Sequence, residues 1–461
     1  MNEDVLVGVD IGSSRVKAAA YRRDGTLAAI ADAPTPVVTH AEGDDFPVLE
    51  MLAAAAGAVR GLRLPPASIV GLAVTSMGEV GTVLADDGLR DVVFPSWYDG
   101  RGVDVVDHLE LTWGARELRD RTGRHARLVS TVAKLGSVPS VPAGTFVGVA
   151  GAFVWQLTGE AWQEASLAAS SGVYDVVRRT YLDDVWASAG LAHVALPPVW
   201  RPGAWSPAST DLATELGLAP GAPVVIAGHD HPVASLGAGA RPGEVVDSIG
   251  TGEAVIAVVR PDLAADPDHL PSLLDLDPYL SVEMWPSTGE QLVVWERMRP
   301  GLAMRTFLDR TDLDRTTLDA TAPAPRAPRL VDEEVSLALE AGRAVDLAYD
   351  AATWGELTDY YVLLAQRGEL LVRRVTGADD ATVLTGGGLR SPRWRAAKAE
   401  LATTGVDVST VTETATRGCA AMVGVASGWW EQAEAMPGTG RVHVRPGAVD
   451  AMDRAAQVLG G

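Results

Sequence analysis

A single cysteine, Cys419, occurs in 461 residues, so no disulfide can close within the chain, and a reducing, cytoplasmic setting is expected. Basic residues are scarce: 38 Lys and Arg stand against 60 Asp and Glu, a net charge of −22. That balance argues against nucleic acid and against anionic membranes as partners. The opening residues, MNEDVLVG, lack the basic stretch of a signal peptide. One long run, Leu135–Gly159, carries no charge, but Pro139, Pro142 and several glycines break it. It reads as a loop and then a buried helix over Gly144–Thr158, not as a membrane span. What the chain does have is length and apolar content: 47% of its residues are hydrophobic, enough for two cores, and 461 residues are too many for one.

The most informative stretch is Val224–Ala257, VVIAGHDHPVASLGAGARPGEVVDSIGTGEAVIA. Val224–Ala227 is a buried strand. Asp230 follows between His229 and His231, where α/β folds place catalytic groups, just beyond a strand's carboxyl end. The same Asp could simply cap the helix that Pro232 helps to start. A metal site at His229–His231 is a weaker option, because such sites draw ligands from several places in a chain. Two further strands flank the turn Ser248–Glu253, whose small residues let backbone N–H groups approach phosphate.

Val5–Tyr21 repeats this grammar: strand, Gly12-Ser13-Ser14 turn, strand. No Gly-Lys-Ser/Thr follows and no helix opens, so it is not a Walker loop. Two copies about 240 residues apart suggest a duplicated domain. Asp10, at the end of the first strand, could hold a metal through water or merely cap the hairpin. Ile69–Thr75 is a strand leading to Met77, Gly78 and Glu79. Trp97, Asp99 and Arg101 alternate, as they would on one wall of a polyol pocket or in an exposed ion pair beside a half-buried indole. Ala381–Gly405 runs from a buried strand through Gly386-Gly387-Gly388 to a helix capped by Ser391, with Pro392 in its first turn and Gly405 at its end. Three glycines there let backbone lie flat against a planar ligand or a phosphate.

Taken together and in order, these stretches resemble the FGGY family of carbohydrate kinases. The resemblance rests on Asp10-Ile-Gly-Ser-Ser, on Trp97-x-Asp99-x-Arg101, and on Leu157-Thr158-Gly159 with Leu196-Pro197. It extends to Gly228-His-Asp230 followed by Gly237-Ala-Gly239, to Ser248-Ile-Gly-Thr251, and to Gly386–Gly388 with Ser391 and Trp394. It implies an α/β chain of two actin-like, ribonuclease H-like domains with an interdomain cleft, residues 1–240 on the sugar side and 241–461 on the adenosine side. It implies ATP and Mg²⁺, with a small sugar or polyol as acceptor and a homodimer as one option for assembly. Asp230 would be the catalytic base and Asp10 the metal residue. Met77, Gly78, Glu79, Trp97, Asp99, Arg101 and His229 would bind the acceptor. Gly12, Ser13, Ser14, Lys17, Gly250, Thr251, Gly252, Gly386, Gly387, Gly388 and Ser391 would bind ATP. Gly252 stands where the family commonly has Ser, and Leu128–Gly144 is shorter than usual. The rival from another class is a non-catalytic ATP-binding sensor or chaperone-like member of the actin-like superfamily. Such a protein needs neither Asp230 nor the Trp97–Arg101 pattern.

Overall fold

The computed structural model describes residues 4–266, 269–401 and 405–447. The chain divides into two compact units. Unit 1 takes the chain up to Gly237 together with Ala264–Leu292 and Glu413–Gly438; unit 2 takes Ala238–Leu263, Val293–Thr412 and the chain from Thr439 onward. The first passage from unit 1 to unit 2 lies between Gly237 and Ala238, and unit 1 takes two later segments besides.

Unit 1 is built on strands β1 (Val5–Ile11), β2 (Arg15–Tyr21), β3 (Leu27–Pro34), β4 (Ile69–Ser76), β5 (Trp205–Pro207) and β6 (Pro223–His229), in the order β5-β6-β4-β1-β2-β3. β1, β4 and β6 run parallel and read as near-continuous apolar runs, as strands covered on both faces must. The period of two divides β1. Val5, Val7, Val9 and Ile11 belong to the core shared with α1 (Val48–Gly61) and α2 (Val149–Thr158). Leu6, Gly8 and Asp10 therefore point to the other face. Helix α3 (Asp230–Gly237) begins where β6 ends.

Unit 2 repeats the plan. Its strands β7 (Val245–Ile249), β8 (Glu253–Val258), β9 (Gln291–Met298), β10 (Thr382–Thr385), β11 (Val406–Ser409) and β12 (Arg441–Val444) lie in the order β9-β8-β7-β10-β11-β12. An antiparallel hairpin, β7–β8, again leads into parallel neighbours, β10 and β11. Helix α4 (Ala351–Thr376) is capped by Asp350, which accepts the Thr353 N–H, and ends at Gly377 in the left-handed conformation that glycine adopts without steric cost. It packs on β8, β7 and α5 (Pro392–Leu401). The expected end of α5 at Gly405 follows residues 402–404, which lie outside the described residues.

The chain then returns to unit 1 as α6 (Thr414–Ala426), covering the Asp10 face of β1. The approach is close enough to require hydrogen as the side chain. A Cβ on Gly8 would lie 1.9 Å from the Thr416 carbonyl oxygen, one on Gly237 1.8 Å from that of Thr414, and one on Gly418 2.0 Å from that of Val233. The small residues of this helix thus bring α3 and α6 into backbone contact.

One segment differs from the sequence reading. Gly144–Gly148 is a strand paired with Gly81–Leu84, and only Val149–Thr158 is helical. This apolar run is too short for periodicity to separate the two forms. Among the described residues, no helix is long and apolar enough to cross a membrane.

Candidate active site

Three strand ends of unit 1 meet. In register, Asp10 of β1 pairs with Thr75 of β4, and Thr75 pairs with Gly228 of β6. β6 carries an extra residue between Ile226 and Gly228 relative to β4. Such bulges re-aim the side chains that follow them. Gly228 sits at φ +126°, and a Cβ there would lie 2.7 Å from Ser166 Oγ and 3.0 Å from Glu164 Oε2. Thr75 Oγ1 donates to the Gly228 carbonyl at 2.7 Å, and the His229 N–H donates to Ser166 Oγ at 2.8 Å. Glu164 in turn accepts from the Ser166 amide at 2.7 Å. Its burial pushes this carboxyl up to about 7 despite those hydrogen bonds. The end of β6 is thereby fixed before the chain turns into α3.

Asp230 opens α3 with its side chain partly exposed. Its Oδ1 accepts the His231 amide at 2.7 Å, the very next N–H rather than those a helix cap serves. His229 is buried at 7% exposure. Its Nε2 lies 3.3 Å from Asp230 Oδ1, and its Nδ1 lies 3.0 Å from Glu283 Oε2. Glu283 Oε1 meets Arg124 Nη2 at 3.0 Å. Burial alone would lower the His229 pKa. Glu283 first, then Asp230 and Glu79, overcome it and push His229 up to about 10. Burial would raise Glu283, but His229 and Arg124 bring it down to about 2. The pair is ionised throughout the range between.

Asp10 lies on the same face. Its Oδ1 is buried and without a hydrogen-bond partner among the described residues. Burial first, then the charges of Asp230 and Glu413, push it up to about 7 against the opposing pull of Lys17. Lys17, opposite Asp10 on β2, donates to Glu413 Oε2 at 2.8 Å. A buried carboxylate with an orphaned oxygen and surplus negative charge around it suits a divalent cation. No group of three or more His, Cys, Asp or Glu that could hold a metal occurs among the described residues. Mg²⁺ carried with nucleotide phosphates needs only one or two carboxylates, so Asp10 fits that ion.

The first hairpin turn is tight: the Gly12 amide donates to the Arg15 carbonyl at 3.1 Å, and Thr35 Oγ1 donates to the Gly12 carbonyl at 2.6 Å. Ser13 and Ser14 lie at its tip. After β4, the Met77 amide donates to the Ile11 carbonyl at 3.3 Å. Gly78 leaves room for Ser170, whose Oγ donates to the Gly78 carbonyl at 2.9 Å; a Cβ would also come within 3.3 Å of the His229 ring. Thr131 holds the Glu79 carbonyl at 3.0 Å. Met77, Gly78, Glu79, His229 and Asp230 thus share one neighbourhood.

Asp99 and Arg101 are engaged with each other and with residues around them. Arg101 donates from Nε to Asp99 Oδ2 at 2.9 Å and pairs with Asp45 at 2.6 Å. Lys134, fully buried, donates to Asp99 Oδ1 at 3.2 Å and to the Asp99 and Arg101 carbonyls. Burial pushes Asp99 up, but Arg101 and Lys134 outweigh it and hold it below the usual carboxylate range. Trp97 packs edge-on against Tyr98, 5.3 Å between ring centres.

Unit 2 carries the second turn and the glycine loop. The Gly250 amide donates to the Gly252 carbonyl at 2.7 Å, and Gly301 packs on Thr251. Gly386 sits at φ +102°, and a Cβ there would meet the Ile249 carbonyl oxygen at 2.4 Å. One on Gly388 would lie 2.3 Å from the Ile249 side chain, whereas one on Gly387 meets nothing within 4 Å. Ser391 Oγ accepts the Trp394 amide at 3.2 Å, capping α5.

The family model for the N-terminal domain of FGGY carbohydrate kinases matches residues 5–237, just over half of the chain and nearly all of the first segment of unit 1. The chain belongs to the FGGY family of carbohydrate kinases. It is 29% identical over 274 residues to an L-fuculokinase of Salmonella typhi; the match covers 56% of this chain and 57% of that enzyme. The chain therefore spans little more than half the length of the curated relatives it matches. In fold it is similar to the xylulose kinase of Rhodospirillum rubrum, with TM-score 0.75, 20% identity and coverage of 99% of this chain and 97% of the other. It is likewise similar to the glycerol kinase of Plasmodium falciparum, with TM-score 0.74, 10% identity and coverage of 99% and 97%. The two repeated sheets are the two actin-like domains of this fold.

Glu283, Arg124, Glu413 and Lys134 are absent from the sequence reading. Glu283 carried one signal: it is the single charge in the buried strand Leu280–Met284. A lone acid in an apolar strand needs a partner, because an unpaired buried charge is too costly to keep.

Proposed function

We propose that the protein phosphorylates a hydroxyl of a small ketose or polyol with ATP. The observation that supports this most is Asp230, partly exposed at the end of β6, one oxygen pinned and the other left to take a proton. Asp230 accepts the proton of the attacking hydroxyl as the new oxygen–phosphorus bond forms. The bond between the γ-phosphorus and the β,γ-bridging oxygen breaks, ADP leaves, and Asp230 passes its proton to solvent. A base so placed contributes roughly 10²–10⁴ in rate. Asp10 would hold Mg²⁺ brought in with the nucleotide, and the ion would supply charge neutralisation for the transferring group. Glu79 and the loop before it bind acceptor hydroxyls. The amides of the turns at Gly12–Ser14 and Gly250–Gly252 bind phosphate, and Gly386–Gly388 lies against adenosine. Lys17 acts through Glu413 and the field around Asp10.

The sequence relatives are L-fuculokinases, which makes L-fuculose the first acceptor to try, beside ketopentoses, pentitols and glycerol. ADP release should require Mg²⁺ and one class of acceptor, with one sugar phosphate formed per ADP. Equal ADP release with every acceptor and with none would instead favour a nucleotide-binding protein without a sugar substrate.

The loop carries its own prediction. Gly387→Val should leave the melting curve unchanged, because its Cβ has open space and no positive φ to strain. ATP affinity should fall about tenfold or more, roughly 1.4 kcal/mol or above. Gly386 would be the wrong probe, because any side chain there strikes β7. An unaltered nucleotide titration of Gly387→Val would take the loop out of the site.

A further inference from the structure

His229 stands where a substrate contact is expected, yet both of its ring nitrogens face carboxylates. Nδ1 faces Glu283 at 3.0 Å and Nε2 faces Asp230 at 3.3 Å. Glu283 is itself held by Arg124, and all three of His229, Glu283 and Arg124 are buried. The charges run Arg⁺, Glu⁻, His⁺, Asp⁻, alternating from the interior to the one partly exposed member. A buried charge survives only when paired and hydrogen-bonded, and this row pairs each with the next.

We propose that Arg124 and Glu283 hold His229 as a fixed cation whose Nε2 orients the Asp230 carboxylate, making His229 a positioning residue for the base rather than a contact to substrate. This rests on the reading of the protein as a kinase with Asp230 as its base. Oδ1 is then held by two positive or donor groups, His229 Nε2 and the His231 amide, which leaves Oδ2 to accept the hydroxyl proton. A neutral His229 would lose the ionic part of that hold. Such outer partners commonly change a reaction tenfold or more without touching the substrate.

A double-mutant cycle tests this. Asp230→Asn, His229→Gln and the pair are assayed for kcat, acceptor KM and melting temperature. His229→Gln alone should lower kcat roughly tenfold or more while moving acceptor KM little. In the Asp230→Asn background it should cost nothing further, because there is no base left to orient. A full additional loss in that background, or a raised KM with kcat kept, would overturn the positioning role. Near-normal turnover by Asp230→Asn itself would instead overturn the base, a distinct failure.

Glu283→Gln is the second arm, needed if His229→Gln does not fold. The groups facing His229 are Glu283, Asp230 and Glu79, with Arg124 and His231 acting on Glu283. With Glu283 present, His229 stays charged up to about pH 10. Without that carboxylate its pKa falls, so kcat should be lost at lower pH than in the wild type. An unshifted alkaline limb in a folded Glu283→Gln enzyme would also overturn the proposal.

Discussion

Asp230→Asn is expected to lower kcat by roughly a hundredfold or more while leaving the fold and ATP binding intact. Asn keeps the oxygen that accepts the His231 amide and starts helices about as well as Asp, so the local backbone loses nothing. What it loses is the capacity to take a proton. One side effect has a definite sign. The charge of Asp230 is among the causes that raise Asp10 to about 7. An acid whose folded pKa is raised favours the folded state below its unfolded pKa, and that advantage is lost as pH rises through the folded value. Removing the neighbouring charge lowers the Asp10 pKa and relieves that site, while His229 loses one of its two carboxylates and keeps Glu283, so the variant should melt close to wild type near pH 7–8. Both measurements are needed together. A stable variant keeping more than about a tenth of wild-type turnover would take Asp230 out of the chemistry. A variant that melts far below wild type would make the kcat loss uninterpretable and contradict the local geometry.

The parts of this site that were legible in sequence are those in which one short segment carries the whole signal. Asp10 and Asp230 each follow an apolar strand and precede a turn or helix, and the two hairpins announce themselves by their small residues. The parts that were not legible are partnerships over distance. Lys17 and Glu413 are 396 residues apart, His229 and Glu283 are 54, and Lys134 reaches Asp99 across 35. No local pattern encodes them, since an ion pair needs only two charges and a fold that joins them. The return of Glu413–Gly438 to unit 1 is of the same kind. Its glycines and alanines indicate a close backbone contact without saying which backbone. Asp99 and Arg101 show the converse: a short motif was visible, but the buried Lys134 that engages both was not.

The largest expected loss of stability lies in unit 2, at Lys398. This side chain is 5% exposed, on α5, and its ammonium contacts Asp247 of β7 and Glu253 of β8, the latter at 2.8 Å. One cation in a dry site balances one carboxylate. Burial first, and then Asp247, raise Glu253 well above the usual range in spite of Lys398. Asp247 Oδ1 and Glu253 Oε2 are buried with no hydrogen-bond partner among the described residues. Lys398→Met keeps the stem and removes the charge, which leaves Asp247 buried as an unpaired anion. Breaking a buried pair from one side costs about 3–5 kcal/mol, read as a lower denaturant midpoint for the transition that involves unit 2. Glu253→Gln puts a neutral amide of the same shape where burial and Asp247 already push the carboxyl toward its neutral form, so its loss should be smaller. It should also remove a pH dependence: with Glu253 present, stability falls as pH rises above 4.5, the unfolded value, and Gln cannot titrate. If both variants unfold alike, Glu253 is an anion in the folded protein and Lys398 balances two charges rather than one. If Lys398→Met unfolds with the wild type, the cluster does not hold α5 to the β7–β8 hairpin at all.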